Sequence, residues 1–331
     1  MNYLRFILGV IFISFLVFVL YIKNYSPIFI IEKSIDTNIP TATLYEYINN
    51  NHNWSEWNPW IEENTDVKIT HKESSSIYPI LEWESKSGNG VLRTTSTSNQ
   101  NQIIQEISIK ELICLEIKWN ITEKNDKKLE LRIKGEMNFL TKIHALLSGG
   151  LEDLIEPYSA KALRNIDRNL QSKLKQHRFE FLGEVLLPKQ YHLSLSYKSK
   201  EEEQDSLLKL GTYHLLEYAR KQNIETTENI FTINPVSNSD KKFWTIGLPI
   251  ERYHNPQDSL IKCNSKNVRK SLKGIHHGVY ENLNLSWSIL YKEIELLNPE
   301  IRFFPVKIRE IGPETSKNPL EWQTELYLPY K

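Results

Sequence analysis

Cysteine is nearly absent, with two in 331 residues. That excludes a disulfide scaffold and leaves too few thiolates for a zinc ribbon. Neither charge is in excess: 41 Lys+Arg balance 41 Asp+Glu. A protein that grips duplex nucleic acid through its phosphates needs a basic surface, and this chain has no surplus to build one. No helix-turn-helix segment is legible either, so no nucleic-acid partner is expected. Catalytic fingerprints are missing too, with no HExxH, GxSxG, P-loop or Rossmann pattern. His276 and His277 are neighbours in a strand-like segment, point to opposite faces and cannot share a metal. No metal and no cofactor are implied. What is present is ordinary: 40% apolar and 25% charged residues describe a globular chain. Its length suits about two domains at ~150 residues each.

Long apolar runs are also scarce, and the one that occurs stands out. Phe6–Ile22 carries no charge, is broken only by Gly9 and Ser14, and is flanked by Arg5 and Lys23. As a helix it reaches roughly 25 Å, enough to span a bilayer with Tyr3, Tyr21 and Tyr25 at the interfaces. A cleaved signal would usually have a shorter core, ~7–15 residues, and end at a small-x-small site. The sequence after Ile22 has no such site, so residues 1–24 are read as an uncleaved, single-pass membrane anchor. A short N-terminal head usually stays in the cytoplasm, which puts the rest of the chain outside it.

Residues 25–180 read as one strand-rich domain closed by a helix. Ile28–Ile35 is a strand, and Pro40 opens a short helix over Thr41–Ile48. Trp54, Trp57 and Trp60 follow at spacing three, with Asn58-Pro59 stopping any helix there. Short apolar runs then alternate with turns: Val67–Thr70, Tyr78–Trp83, Gly90–Thr95, Ile103–Ile109, Ile113–Ile121 and Leu129–Met137. The turns include Ser87-Gly-Asn-Gly and Glu123-Lys-Asn-Asp-Lys. Strands this close must mostly pair antiparallel. The period then becomes helical through Leu151, Leu154, Ile155, Tyr158, Ala162, Ile166, Leu170 and Leu174, with Gly149-Gly150 and Pro157 marking a break or kink near its start. A curved antiparallel sheet around a long helix is a helix-grip shape, and the space between them is a natural ligand cavity. Cys114, inside an apolar strand, is expected as a small core residue. The ordered set of anchor, Ser34-Ile-Asp36, Pro40, the three tryptophans, Gly88-Asn-Gly90 and Gly149-Gly150 resembles the START/polyketide-cyclase superfamily (SRPBCC), in particular its membrane-anchored bacterial members. The resemblance implies apolar ligands or varied chemistry, and no particular reaction.

Phe181–Pro188 reads as a connector, and residues 188–331 repeat a strand–helix–strand–strand unit. The first copy is Tyr191–Tyr197, Glu201–Lys221, Asn229–Ile233 and Phe243–Ile250. The second is Lys270–His276, Tyr280–Leu297, Phe303–Arg309 and Trp322–Leu328. Both end alike, in Gly247-Leu-Pro249-Ile and Tyr327-Leu-Pro329-Tyr. A duplicated unit that cannot bury its own sheet face implies a pseudo-twofold domain with a pocket. The whole chain is therefore α+β. His277-Gly-Val-Tyr280-Glu281 and Trp322-Gln-Thr-Glu325-Leu-Tyr327-Leu-Pro329 resemble the GyrI-like effector-binding domain. Val279 stands where that family commonly has proline.

Glu325 is the candidate site residue. Alternation puts Gln323, Glu325 and Tyr327 on one face of the last strand, and a carboxylate facing an interior needs a cation or donor. On its own the pattern also fits a solvated strand. The resemblance implies a pocket carboxylate that binds cationic or polar, apolar-bodied ligands. Tyr280, Trp287 and Trp244 could supply aromatic walls for a cation–π box, or simply pack in the core. The leading expectation is non-catalytic binding of a small amphipathic or cationic molecule. The alternatives are a hydrolase of small electrophiles with Glu325 as general base, and an interaction module whose pockets are filled by side chains. Oligomeric state is left open.

Overall fold

The uncharged run folds as α1 (Asn2–Asn24). Its side chains from Phe6 to Tyr21 are largely exposed, and Ile22 is buried. Among the described residues it is the one helix long and apolar enough to cross a membrane. The structure is a computed structural model that describes residues 2–72, 78, 80–86, 88–109, 113–123, 127–227, 229–233, 242–300 and 302–331. Ser87 and residues 124–126, from the two expected hairpin turns, lie outside those residues. By internal contacts the chain divides into two units, Met1–Ser172 and Lys173–Lys331.

In the first unit, β1 (Ile28–Asp36) buries Phe29 and Ile31 on one face. Pro40 precedes α2 (Thr41–Asn49). The tryptophan segment makes two short helices, α3 (Trp54–Trp57) and α4 (Pro59–Glu63). Asn58 ends the first and caps the second, its side chain accepting the Trp60 N–H at 2.9 Å. Pro59 sits at the first position, where its missing N–H costs nothing. Strands β2 (Lys68–Lys72), β3 (Ile80–Glu84), β4 (Gly90–Ser98), β5 (Gln102–Ile109), β6 (Ile113–Thr122) and β7 (Lys128–Glu136) join β1 in a seven-stranded sheet of order β1-β7-β6-β5-β4-β3-β2. Every pair is antiparallel. Along β6 it is Leu115, Ile117, Trp119 and Ile121 that are buried, so period two turns Cys114 outward. The expected core cysteine is therefore a surface one.

A helix not anticipated from sequence follows, α5 (Phe139–Ser148), ended by Gly149 in the left-handed region at φ 87°. A side chain there would be strained, which is why glycine closes the helix. The long helix α6 (Leu151–Lys175) contains Pro157. The break thus falls at Gly149-Gly150, and the helix runs through the proline. Buried Ala162, Leu163, Ile166 and Leu170 form its inner stripe. Asn165 and Asn169 tie it to the tryptophan segment, donating to the carbonyls of Trp57 at 3.2 Å and Glu56 at 2.9 Å.

Among the described residues, the second unit is one eight-stranded antiparallel sheet with two α-helices. Its strands are β8 (Arg178–Leu187), β9 (Gln190–Ser199), β10 (Phe231–Ile233), β11 (Lys242–Ile250), β12 (Lys262–Lys266), β13 (Arg269–His277), β14 (Val306–Ile311) and β15 (Gln323–Tyr330). Helices α7 (Gln204–Lys221) and α8 (Leu283–Leu297) follow β9 and β13. The order β12-β9-β11-β10-β14-β15-β13-β8 reads as a palindrome of the two copies. Phe181–Leu187, expected as a connector, is part of edge strand β8, and β12 is its counterpart. Each copy is therefore strand–strand–helix–strand–strand, with its leading strand paired at the far edge of the other copy. The exchange stitches the copies into one sheet.

Candidate ligand-binding site

Alternation in β15 sorts its side chains between two environments. Leu326, Leu328 and Tyr330 join Leu272, Leu290 and Ile294 in a core under α8. Glu325 and Tyr327 must then face the other way. Register carries that face across the sheet, because directly paired residues share a side. Ile275 pairs with Glu325, Glu325 with Ile308, Ile308 with Phe231, and Phe231 with Gly247. The phenyl ring of Phe231 lies over Gly247 so closely that a Cβ there would sit 2.1 Å from it.

On this face Glu325 is satisfied from within the protein. Lys273 Nζ lies 2.5 Å from Oε1, and the Tyr327 hydroxyl donates to Oε2 at 2.6 Å. Lys273, paired with Tyr327 in the sheet, also stands 5.2 Å from that ring's centroid. The two charged side chains are mostly buried, 20% and 16% exposed. Burial pulls the Lys273 ammonium down, but its bonds to Glu325 and Tyr327 outweigh this, and the net direction is up. Burial, then the neighbouring Glu325, pushes the Tyr327 phenol up to about 12. The carboxylate borders an open cleft of about 440 Å³ lined, among the described residues, by Thr227, Asn229, Ile308, Glu310, Glu325 and Tyr327. Asn229 Nδ2 donates to Glu310 at 2.9 Å. Two carboxylates line this wall, and no cation is among its described lining residues.

The other expected aromatics pack elsewhere. Trp244 stacks on Tyr197 at 5.3 Å and donates to Ser199 Oγ at 2.9 Å, inside the α7 core. Trp287 packs beside Tyr291 against the α8 core. Tyr280 stacks on Trp322 at 4.9 Å beneath the Arg309 guanidinium, 4.4 Å from its ring. Burial pushes its phenol up to about 12. The reason is the sheet. Trp244 and Trp287 belong to cores that α7 and α8 make on the face opposite Glu325. Of the five residues singled out, the structure brings Glu325 and Tyr327 together. Lys273, Ile308, Phe231 and Glu310 carry no local sequence signal, since only strand register brings them to this face.

The first unit holds a second polar arrangement among apolar residues. Trp57 meets Trp119 edge-on at 5.5 Å, and Trp119 Nε1 donates to Gln105 Oε1 at 2.9 Å. That bond fixes the amide's orientation and leaves Gln105 Nε2 without a partner among the described residues. Thr94, directly across from Gln105, has an unpaired Oγ1, and Trp57 Nε1 is unpaired as well. All three side chains are buried. Each such atom costs about 1–3 kcal/mol unless something polar meets it.

Residues 37–164 match the family of polyketide cyclase / dehydrase and lipid transport proteins. The matched residues fall within the first unit. The comparison with curated proteins gives no match. Among solved structures, the EcmrR C-terminal domain is 16% identical, with 47% of this chain and 98% of that one covered at a TM-score of 0.41. The Zhui aromatase/cyclase of Streptomyces is 10% identical, covering 45% and 96% at a TM-score of 0.34. A hydrolase from Listeria innocua is 14% identical, covering 50% and 98% at a TM-score of 0.36.

Proposed function

We propose that this chain is a membrane-tethered, non-catalytic binding protein for small amphipathic molecules, held by α1 with its two sheet units outside the cytoplasm. The observation that carries the reading is the cavity at Glu325. Its wall sets two carboxylates beside Ile308 and the Tyr327 ring, which suits an apolar body bearing a cationic or hydrogen-bond-donating group. Lys273 already neutralises part of Glu325, so a cation gains most by sharing the carboxylate between Lys273 and itself and by pairing with Glu310. The unpaired donors of Trp57 and Gln105 suit a different feature, an acceptor oxygen on an apolar molecule held in the helix-grip unit.

Glu325→Gln preserves shape and removes the charge. Affinity for tetraphenylphosphonium, measured by calorimetry on the full chain in detergent, should fall by about 1–3 kcal/mol, the scale of an interaction with a charged group. Equal affinity in wild type and variant would refute the assignment. The same carboxylate is the group a hydrolytic reading needs. On that reading the variant keeps its affinity and loses turnover of an electrophilic substrate, because an amide cannot take the proton.

A further inference from the structure

The outward face of β1 changes character with distance from α1. Ile28 and Ile30 are exposed, while Phe29 and Ile31 between them are buried. Further along, the same face carries Glu32, Ser34 and Asp36. The apolar part is confined to the residues nearest the apolar helix. α5 repeats the pattern. Phe139, Ile143 and Leu147 recur at spacing four and share one stripe. Phe139 is 50% exposed and Leu147 80%, whereas Lys142 and Ala145 on the other side are buried.

One bond ties α5 to the chain just past α1, and a second joins the segments beside them. Lys142 Nζ donates to the carbonyl of Tyr25 at 2.6 Å, and the Met137 N–H donates to that of Pro27 at 2.6 Å. The ammonium sits where the last carbonyls of a helix favour a cation. The exposed apolar surface of α1 ends here too, since Ile22 is buried.

We infer that α5 and the start of β1 rest on the lipid bilayer that α1 enters, with Phe139, Ile143, Leu147, Ile28 and Ile30 among the headgroups and first acyl carbons. The inference depends on the reading of α1 as an anchor. If α1 spans, the bilayer surface lies at its C-terminal end, where these side chains are. An amphipathic helix at an interface buries its apolar face about 5–10 Å deep. The step from Ile28 to Ile30, at ~3.3 Å per residue, fits within such a band before Glu32 returns the strand to water. The first unit is then seated on the membrane, and its anchor is more than a leash.

Site-directed spin labelling of the full chain in phosphatidylcholine vesicles tests this. Cys114→Ser and Cys263→Ser remove the native thiols, and single cysteines are placed by Phe12→Cys, Leu147→Cys and Leu210→Cys. Power saturation compares access of oxygen with access of a soluble nickel chelate. The Phe12 and Leu147 labels should both favour oxygen, Leu147 at the shallower depth, and the exposed Leu210 label should favour nickel. A nickel-accessible Leu147 label with Phe12 in the bilayer would overturn the seating while leaving the anchor. A Leu147 label shielded from both reagents means protein covers the stripe, and the inference fails. A nickel-accessible Phe12 label defeats the anchor reading and the inference with it.

Discussion

Lys273 Nζ stands 2.5 Å from Glu325 Oε1, and nothing local in the sequence announces that pairing. Glu325 and Tyr327 could be placed together because alternation acts over two residues. Lys273 meets them only because β13 pairs with β15 in one register out of several, which a single sequence does not encode in any local pattern. His192 on β9 is another residue whose role only the sheet reveals. It is buried, edge-on to Phe231 at 5.1 Å. Burial, and then the Lys266 ammonium, push its pKa from 6.5 down to about 4. Because this lies below the unfolded value, the unfolded chain takes up the proton first. The contribution of His192 is complete above about pH 6.5 and is lost as the pH falls towards 4. At 1.36 kcal/mol per unit it amounts to about 3 kcal/mol. Urea unfolding across that window should show the second unit weakening, and His192→Gln should remove most of the slope. A slope unchanged by the substitution would show that other groups carry it.

At the scale of elements, strong periodicity was legible and weak periodicity was not. The six runs between Val67 and Met137, α2, α6, α7 and α8 follow from apolar spacing and from Pro40. β12 does not, because Lys262–Lys266 reads KCNSK and has almost no apolar alternation. β8 was read as a connector because a leading strand that pairs with the other copy has no adjacent partner in sequence. α5 was missed because its apolar residues divide between two faces, so they show no single buried stripe. Gly247 illustrates how tightly neighbouring elements fit. The Phe231 ring occupies the place of its side chain, and Gly247→Ala should force the ring off the sheet at about 1–3 kcal/mol, the usual cost of overpacking a core. A thermal melt of the variant that overlays wild type would contradict that packing.

For the whole molecule, the account joins one apolar helix to two units that each gather polar groups among apolar ones. The division into an apolar helix, a helix-grip sheet and a duplicated sheet is visible in the sequence as changes of period. The chemistry inside each unit was only partly visible. Alternation and resemblance pointed to Glu325, while the unpaired atoms of Gln105, Thr94 and Trp57 emerge only when strands and helices close on one another. The central claim is that the Glu325 cavity holds a small amphipathic molecule. Native mass spectrometry of the full chain, released gently from its own membranes, tests it most directly. The account predicts an adduct of small-molecule mass on the wild-type protein that is depleted in Glu325→Gln. Bare protein in both samples, still bare after incubation with a panel of cationic and neutral amphiphiles, would contradict it.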